Sequence, residues 1–361
     1  MKKRVLVWGL TNNRAGTEAV ISTYVKASKN IIFDFLCYDE PANFSFLFDG
    51  TENEYFVIPI KIKHPFANQK ALNGFMKKRG HLYSSLWFNV NEVSNIDLLK
   101  LAKKHNIPQR ITHIHNPSFP NVFITKLFSR LNWRKCLELS TDYWACSEDA
   151  GKFLFRGKPF RVIPNLIDVE SRAFSESKRS LIRDKYGLNR SFVIGAVGRL
   201  AEQKNISFLV GLMPRLLALN PKVVLMLVGS GSLYPDLKRL AEDLNIENNI
   251  IFAGSQTDIQ GYLSAFDVYA MPSLYEGMSL SILEAQFNGL PCVISEGVGE
   301  KSAISNNVKV ISLDDESVWI DALLSAKRRE GSIIEERAKL YRFDRAQEVV
   351  PTMFKQNPSD K

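Results

Sequence analysis

Residues 192–229 read FVIGAVGRLAEQKNISFLVGLMPRLLALNPKVVLMLVG. Two apolar runs, FVIGAVG (192–198) and KVVLMLVG (222–229), each end in glycine and flank the amphipathic stretch NISFLVGLMPRLLAL (205–219). A short apolar run without polar alternation is a strand covered on both faces, and strand, helix, strand in that order make a parallel βαβ unit. The alternation continues with LYPDLKRLAEDLNI (233–246), TDIQGYLSAF (257–266) and SLSILEAQFN (279–288) as helices, and NIIFAG, DVYAMPS and PCVIS as strands. The first half repeats the pattern less regularly. KRVLVWGL, IIFDFLCY, SLWFNV and QRITHIHN are strand candidates, and a helix is expected from about Thr17. The polar segment 165–190, NLIDVESRAFSESKRSLIRDKYGLNR, separates the halves and is taken as the hinge. The expectation is an α/β chain of two Rossmann-like domains, 1–167 and 168–340, facing each other. Open parallel sheets bind ligands beyond the C-terminal ends of their strands, so a site is expected in the cleft.

Composition agrees with this. A chain of 361 residues with 45% hydrophobic and 24% charged residues suits a soluble globular protein of two domains. The four cysteines (Cys37, Cys136, Cys146 and Cys292) are scattered without a C-x-x-C pair, which points to reduced thiols rather than a disulfide framework or zinc site. The run VLVWGL is too short for a secretory leader and reads as a buried first strand. No run approaches the roughly 20 apolar residues of a membrane span. Charge is uneven: residues 1–165 carry 24 Lys and Arg against 13 Asp and Glu, the remainder 23 against 25. A basic first half suggests an anionic partner, although it also suits a merely soluble basic face.

The chemistry concentrates in SLYEGMSLSILEAQFNGLPCVISE (273–296). Ser279 is the expected N-cap of a helix ending near Gly289 and Pro291. The loop after the strand and the helix N-terminus favour an anion such as phosphate. Glu276 would project from that loop, and Glu284 would reach a hydroxyl-bearing part of the same ligand. The spacing alone also suits two ordinary solvated acids. RLAEQKN supplies Arg199 and Lys204 at the end of another strand, a pair suited to a diphosphate. No D-x-D pair and no P-loop pattern occurs in the chain.

These blocks, GRLAEQKN, LVGSGSLYPDLKRLAEDLNI and IIFAGSQTDIQGYLSAFDVYAMPSLYEGMSLSILEAQFNGLPCVIS, with WACSEDAGKFLF and RVIPNLIDVE upstream, resemble the retaining GT-B glycosyltransferases of family-4 type, and among them those that build bacterial capsule and exopolysaccharide. The resemblance implies that Glu284 holds the ribose hydroxyls of a nucleotide sugar and that Arg199 and Lys204 hold its diphosphate. It implies that Glu276 and the backbone of Gly277, Met278, Ser279 and Leu280 contact the transferred sugar and adjoining phosphate. RAGTE resembles a family loop that usually has two adjacent glycines; Ala15 stands for the first, and Gly16 would approach the diphosphate. A histidine beside the donor sugar is also implied, with His113 as first candidate by register and His115 as second; either also fits a core histidine. The helix near 341–361 would pack back on the first domain. No metal cofactor is expected, and the missing D-x-D speaks against the metal-dependent GT-A type.

FITKLFSRLNWRK (123–135) places Lys126, Arg130 and Arg134 four apart beside an apolar stripe of Ile124, Leu127, Phe128 and Leu131. A basic amphipathic helix suits an anionic leaflet, as it suits an ordinary core-facing helix with a solvated edge. No nucleic-acid recognition motif is evident. The functional expectation is a metal-independent retaining hexosyltransferase, cytoplasmic and peripheral on the inner face of the cell membrane. It would move a hexose from a UDP-sugar to a lipid-linked glycan for surface polysaccharide. The rivals are a sugar-nucleotide epimerase of the same fold and a non-catalytic, transferase-like partner subunit.

Overall fold

The computed structural model describes residues 2–12, 16–118, 122–276, 278–328, 333 and 335–354. The chain divides into two compact units, one formed by Met1–Leu166 with Phe343–Lys361, the other by Ile167–Arg342. Among the described residues no helix is long and apolar enough to cross a membrane.

Unit 1 holds a seven-stranded sheet of β1 (Lys3–Trp8), β2 (Ile31–Cys37), β3 (Glu54–Val57), β4 (Ser85–Val90), β5 (Gln109–Ile114), β6 (Asp142–Ala145) and β7 (Arg161–Val162), in the order β3-β2-β1-β4-β5-β6-β7. Every pairing is parallel. The crossovers are α1 (Gly16–Lys26), α2 (Pro65–Arg79), α3 (Asp97–Lys104), α4 (Phe123–Leu139) and α5 (Glu148–Phe155). α3 packs against both α2 and α4. Asp34 of β2 is fully buried and would be costly there unpaired. It accepts hydrogen bonds from Arg4 at 2.7 Å, Tyr83 at 2.8 Å and Arg79 at 3.1 Å.

Unit 2 begins with α6 (Glu176–Lys185) and has a six-stranded parallel sheet of β8 (Phe192–Val197), β9 (Val223–Val228), β10 (Ile250–Gly254), β11 (Val268–Met271), β12 (Cys292–Ser295) and β13 (Val308–Ile311), in the order β10-β9-β8-β11-β12-β13. α7 (Ile206–Leu219), α8 (Tyr234–Asp243), α9 (Ile259–Ala265), α10 (Leu280–Phe287), α11 (Glu316–Leu324) and the single turn α12 (Glu335–Ala338) complete it. Most side chains of β8 and β9 are buried, because helices cover both faces of a parallel sheet. The segment 165–190, expected as a hinge, is largely part of this unit. Its α6 packs on α9, and Arg179 and Arg183 reach Asp267 and the carbonyls of Ser264, Ala265 and Phe266. Its polar character comes from that tethering, not from a free linker. After unit 2 the chain returns to unit 1, where α13 (Ala346–Met353) touches α1 and Phe354 packs among Phe33, Trp87 and Trp144.

Glycine is required where β8 and β9 end side by side. Gly229 has φ +139°, and a Cβ there would lie 1.9 Å from the carbonyl oxygen of Gly198. The obstacle is backbone, so it cannot swing aside, and Gly198 leads directly into the loop carrying Arg199. Gly229→Ala is therefore expected to cost about 2 kcal/mol of stability, within the range for a forced backbone conformation. Urea unfolding of the two proteins checks this; an unchanged midpoint would contradict it.

Candidate active site

The loops that follow β8 and β11 in unit 2 are joined by hydrogen bonds. Leu274 N–H donates to the Gln203 carbonyl at 2.8 Å, and Gln203 Nε2 returns a bond to the Tyr275 carbonyl at 2.9 Å. Glu276 N–H donates to Gly297 O at 2.9 Å, which ties the same loop to the turn after β12. Gly297 must be glycine for this approach, since a Cβ would sit 2.3 Å from Leu274 O. This frame brings together two residues that the sequence offered separately. Lys204 Nζ lies 2.7 Å from Glu276 Oε1, with both side chains mostly buried. Glu276 thus lies against its neighbouring loop as half of an ion pair. Arg199 is exposed and has no carboxylate partner within ion-pair distance among the described residues.

α10 starts at Leu280, directly after this loop. Ser279 occupies the N-cap position, but its side chain makes no capping bond; its hydroxyl instead shares a 3.1 Å hydrogen bond with Ser281 Oγ. The hydroxyl expected to cap the helix is thus engaged elsewhere, and the first-turn N–H groups keep their affinity for an anion. Met278 and Leu280 are half-buried and pack with Leu283, Phe287 and Ile304. Gly277 lies outside the described residues.

Glu284 is no solvated helix acid. Burial raises its carboxyl above the usual range, and Arg172, with Nε 2.7 Å from Glu284 Oε1, opposes the rise. Arg172 is in turn fixed by bonds from its Nη1 to the Ser171 carbonyl and hydroxyl, while its own carbonyl accepts from Asn288 Nδ2. Sequence reasoning missed Arg172, because one arginine among the charges of 165–190 carried no mark of its role. Its place a few residues beyond the RVIPN block was the available signal.

In unit 1, Gly16 opens α1, and a Cβ there would meet nothing within 4 Å. Packing therefore does not demand a glycine at this position. Ala15 lies outside the described residues. The two histidines exchange their order of promise. His113 is fully buried: its Nδ1 accepts from Trp87 Nε1 at 3.2 Å, its Nε2 has no partner, and its ring lies against Trp87, Trp144 and His115. A side chain with no exposed surface has no contact to offer a sugar. The α1 and α13 layer, with Phe354 beside both tryptophans, closes that face of the sheet. His115 follows the C-terminal end of β5, retains 9% exposure and shares a 3.1 Å hydrogen bond with Asn89 Oδ1. Burial lowers His113 well below its ordinary range and His115 to about 3, so both rings are neutral at pH 7.

On α4 the inward face is short of apolar anchors at its start: Ser129 donates to Glu92 at 2.8 Å and Asn132 to Ser94 O at 2.7 Å. The predicted apolar stripe faces out. Phe123, Ile124 and Leu131 are 80%, 64% and 67% exposed, and Leu127 and Phe128 are exposed with them. Arg130 and Arg134 are exposed beside the stripe and Lys126 is half-buried. Near α2, Ile62 and Phe66 are also exposed, among Lys63, Lys70, Lys77 and Lys78.

The architecture is that of the GT-B glycosyltransferases. Anabaena HepE in complex with UDP and glucose matches 98% of this chain and 98% of its own, with TM-score 0.79 at 19% identity. WaaG, a glycosyltransferase of lipopolysaccharide biosynthesis, matches 97% and 95% with TM-score 0.66 at 16% identity. Residues 191–327 match the family model described as Glycosyl transferases group 1. A Bacillus subtilis protein named as the glycosyltransferase EpsF is 30% identical over 96% of this chain and 94% of its own. The chain belongs to the group 1 glycosyl transferases. A galactosyltransferase of Escherichia coli that acts from UDP-Gal on GlcNAc-diphosphoundecaprenol is 39% identical over 45% of this chain and 44% of its own.

The Arg172–Glu284 pair yields a pH test. A carboxyl whose folded pKa is raised costs nothing below its unfolded value, and its destabilisation grows as pH rises from there and is complete above the folded value. Removing Arg172 raises the Glu284 carboxyl further. Arg172→Ala should therefore lower Tm more at pH 7.5 than at pH 4.5, relative to the unmodified chain. Equal losses at both values would show that the pair does not hold the Glu284 charge.

Proposed function

We propose that this chain is a retaining, metal-independent hexosyltransferase. It takes a hexose from a UDP-sugar to a lipid-linked glycan in bacterial surface polysaccharide synthesis, working as a peripheral protein on the inner face of the cell membrane. The observation that carries the reading is the cluster at the C-terminal ends of β8 and β11: Arg199, the Lys204–Glu276 pair, the uncapped start of α10 and the Arg172–Glu284 pair. Arg199, Lys204 and the first-turn N–H groups of α10 suit a leaving diphosphate, whose growing charge they would meet already oriented. Glu284, held by Arg172, suits the paired hydroxyls of a ribose. Lys204 would exchange Glu276 for a phosphate, which frees Glu276 to turn to the sugar. This reading assigns no second acid to the sugar, so the donor's own phosphate would accept the acceptor's proton, a front-face course that retains configuration. The relatives lend the substrate classes: UDP and glucose are bound by HepE, and the Escherichia coli enzyme uses a diphosphoundecaprenol acceptor.

The test of chemistry is transfer from UDP-hexoses to a lipid diphosphate-linked acceptor. Glu276→Ala should lower turnover by at least about a hundredfold, the scale of losing one transition-state contact, with nucleotide affinity within a few-fold. Turnover like that of the unmodified chain would overturn the role given to Glu276.

The exposed stripe of α4 with its flanking cations supports the membrane reading, since apolar side chains can enter an anionic leaflet whose headgroups meet Lys126, Arg130 and Arg134. Replacing these three by glutamate should release the protein from vesicles containing phosphatidylglycerol. Sedimentation equal to that of the unmodified chain would refute the docking face.

A further inference from the structure

Unit 2 has a second cationic concavity at the opposite end of its sheet. An open cavity of about 520 Å³ lies where β8, β9 and β11 begin, lined by Ser191 and Phe192, by Asn220 and Lys222, and by Asp267. Segments from α6 and from the chain after α11 close it. β8 spans six residues, so this cavity is roughly 20 Å from the Lys204–Glu276 pair. Its volume is that of a small-molecule site.

Five cationic side chains and one carboxylate line it. The carboxylate, Asp267, is fully engaged: Arg179 meets one oxygen at 2.7 Å, and Arg183 at 3.2 Å and Val193 N–H at 2.8 Å meet the other. Two of the cations have structural duties. Arg179 donates to Ser264 O and Phe266 O, and Arg328 to Leu263 O and Asn288 O, so both satisfy carbonyls at helix C-termini. That leaves Arg190, Lys222 and Lys327, all exposed, all lining one cavity, and none with a carboxylate within ion-pair distance among the described residues. Arg328 Nε is buried and has no hydrogen-bond acceptor, while its guanidinium lies 4.6 Å from the Phe174 ring centroid. Burial first and Arg179 second depress Arg328 to about 10, against the pull of Asp267. Helix ends explain Arg179 and Arg328; they leave unexplained three further cations around a hollow.

We infer that this cavity is a second ligand site, distinct from the donor cluster, that takes a small molecule bearing phosphoryl groups. Arg190, Lys222 and Lys327 would neutralise the phosphoryl oxygens, and Phe174 and Phe192 would cover the ligand's apolar side. The inference concerns the beginning of the strands and does not depend on the donor reading.

The test is calorimetric titration of the full chain with inorganic pyrophosphate at low ionic strength. Replacing Arg190, Lys222 and Lys327 by Gln together should remove one equivalent or weaken it at least tenfold. Lys222→Arg should keep it, and Arg199→Gln, at the other end, should leave this equivalent in place. As a control for net charge, Lys238→Gln with Arg239→Gln on α8 should change nothing. All six replaced residues are exposed, so unfolding temperatures without ligand should agree. Unchanged stoichiometry and affinity in the triple variant, equal weakening in the α8 control, or loss of all binding with Arg199→Gln alone would each overturn the inference.

Discussion

The site depends on the contact between Lys204 and Glu276. The two residues are held 2.7 Å apart with only 17% and 7% of their side chains exposed. A buried ion pair gains little net stability, because desolvation offsets the attraction, yet losing one partner costs about 3–5 kcal/mol. The pair ties the loop after β8 to the loop after β11, and it leaves a cation committed to an oxygen anion that a phosphate can replace. The hydrogen bonds among Gln203, Leu274, Tyr275, Glu276 and Gly297 hold both loops, so the pair can open without the frame dissolving. Glu284 and Arg172 repeat the arrangement on α10, again with the carboxylate mostly buried. Each acid thus faces a dedicated cationic partner.

Much of the fold was legible in the sequence because parallel strands covered on both faces are short, apolar and punctuated by glycine. FVIGAVG, KVVLMLVG and IIFDFLCY announce β8, β9 and β2 on that ground alone. The strands less easily read are β3, β6, β7 and β13, of two to four residues each. Strands that short give periodicity little to work on, and β3, β7 and β13 lie at sheet edges with few buried residues.

The site was legible as a set of residues and less so as a set of partners. Spacing pointed to Arg199, Lys204, Glu276 and Glu284, but nothing in it said that Lys204 meets Glu276 or that Arg172 meets Glu284, since these contacts join segments 72 and 112 positions apart. The histidines show the limit of a period of two. It put His113 and His115 on one face of β5, and only the packing of Trp87, Trp144 and Phe354 distinguishes the sealed residue from the one at the strand's end. On α4 the pattern of residues suits an amphipathic helix with either of two orientations. The polar anchors Ser129 and Asn132 turn its apolar stripe away from the core.

The central claim is that the end of unit 2's strands holds a nucleoside diphosphate, and nucleotide binding measures it most directly. Thermal unfolding of the full chain with UDP, GDP, dTDP and ADP, with Glu284→Ala alongside, is the experiment. UDP at a hundred times its Kd should stabilise the chain by about 2.7 kcal/mol, and the Glu284→Ala variant should lose most of that shift. No shift with any of the four, or an equal shift in the variant, would contradict the claim.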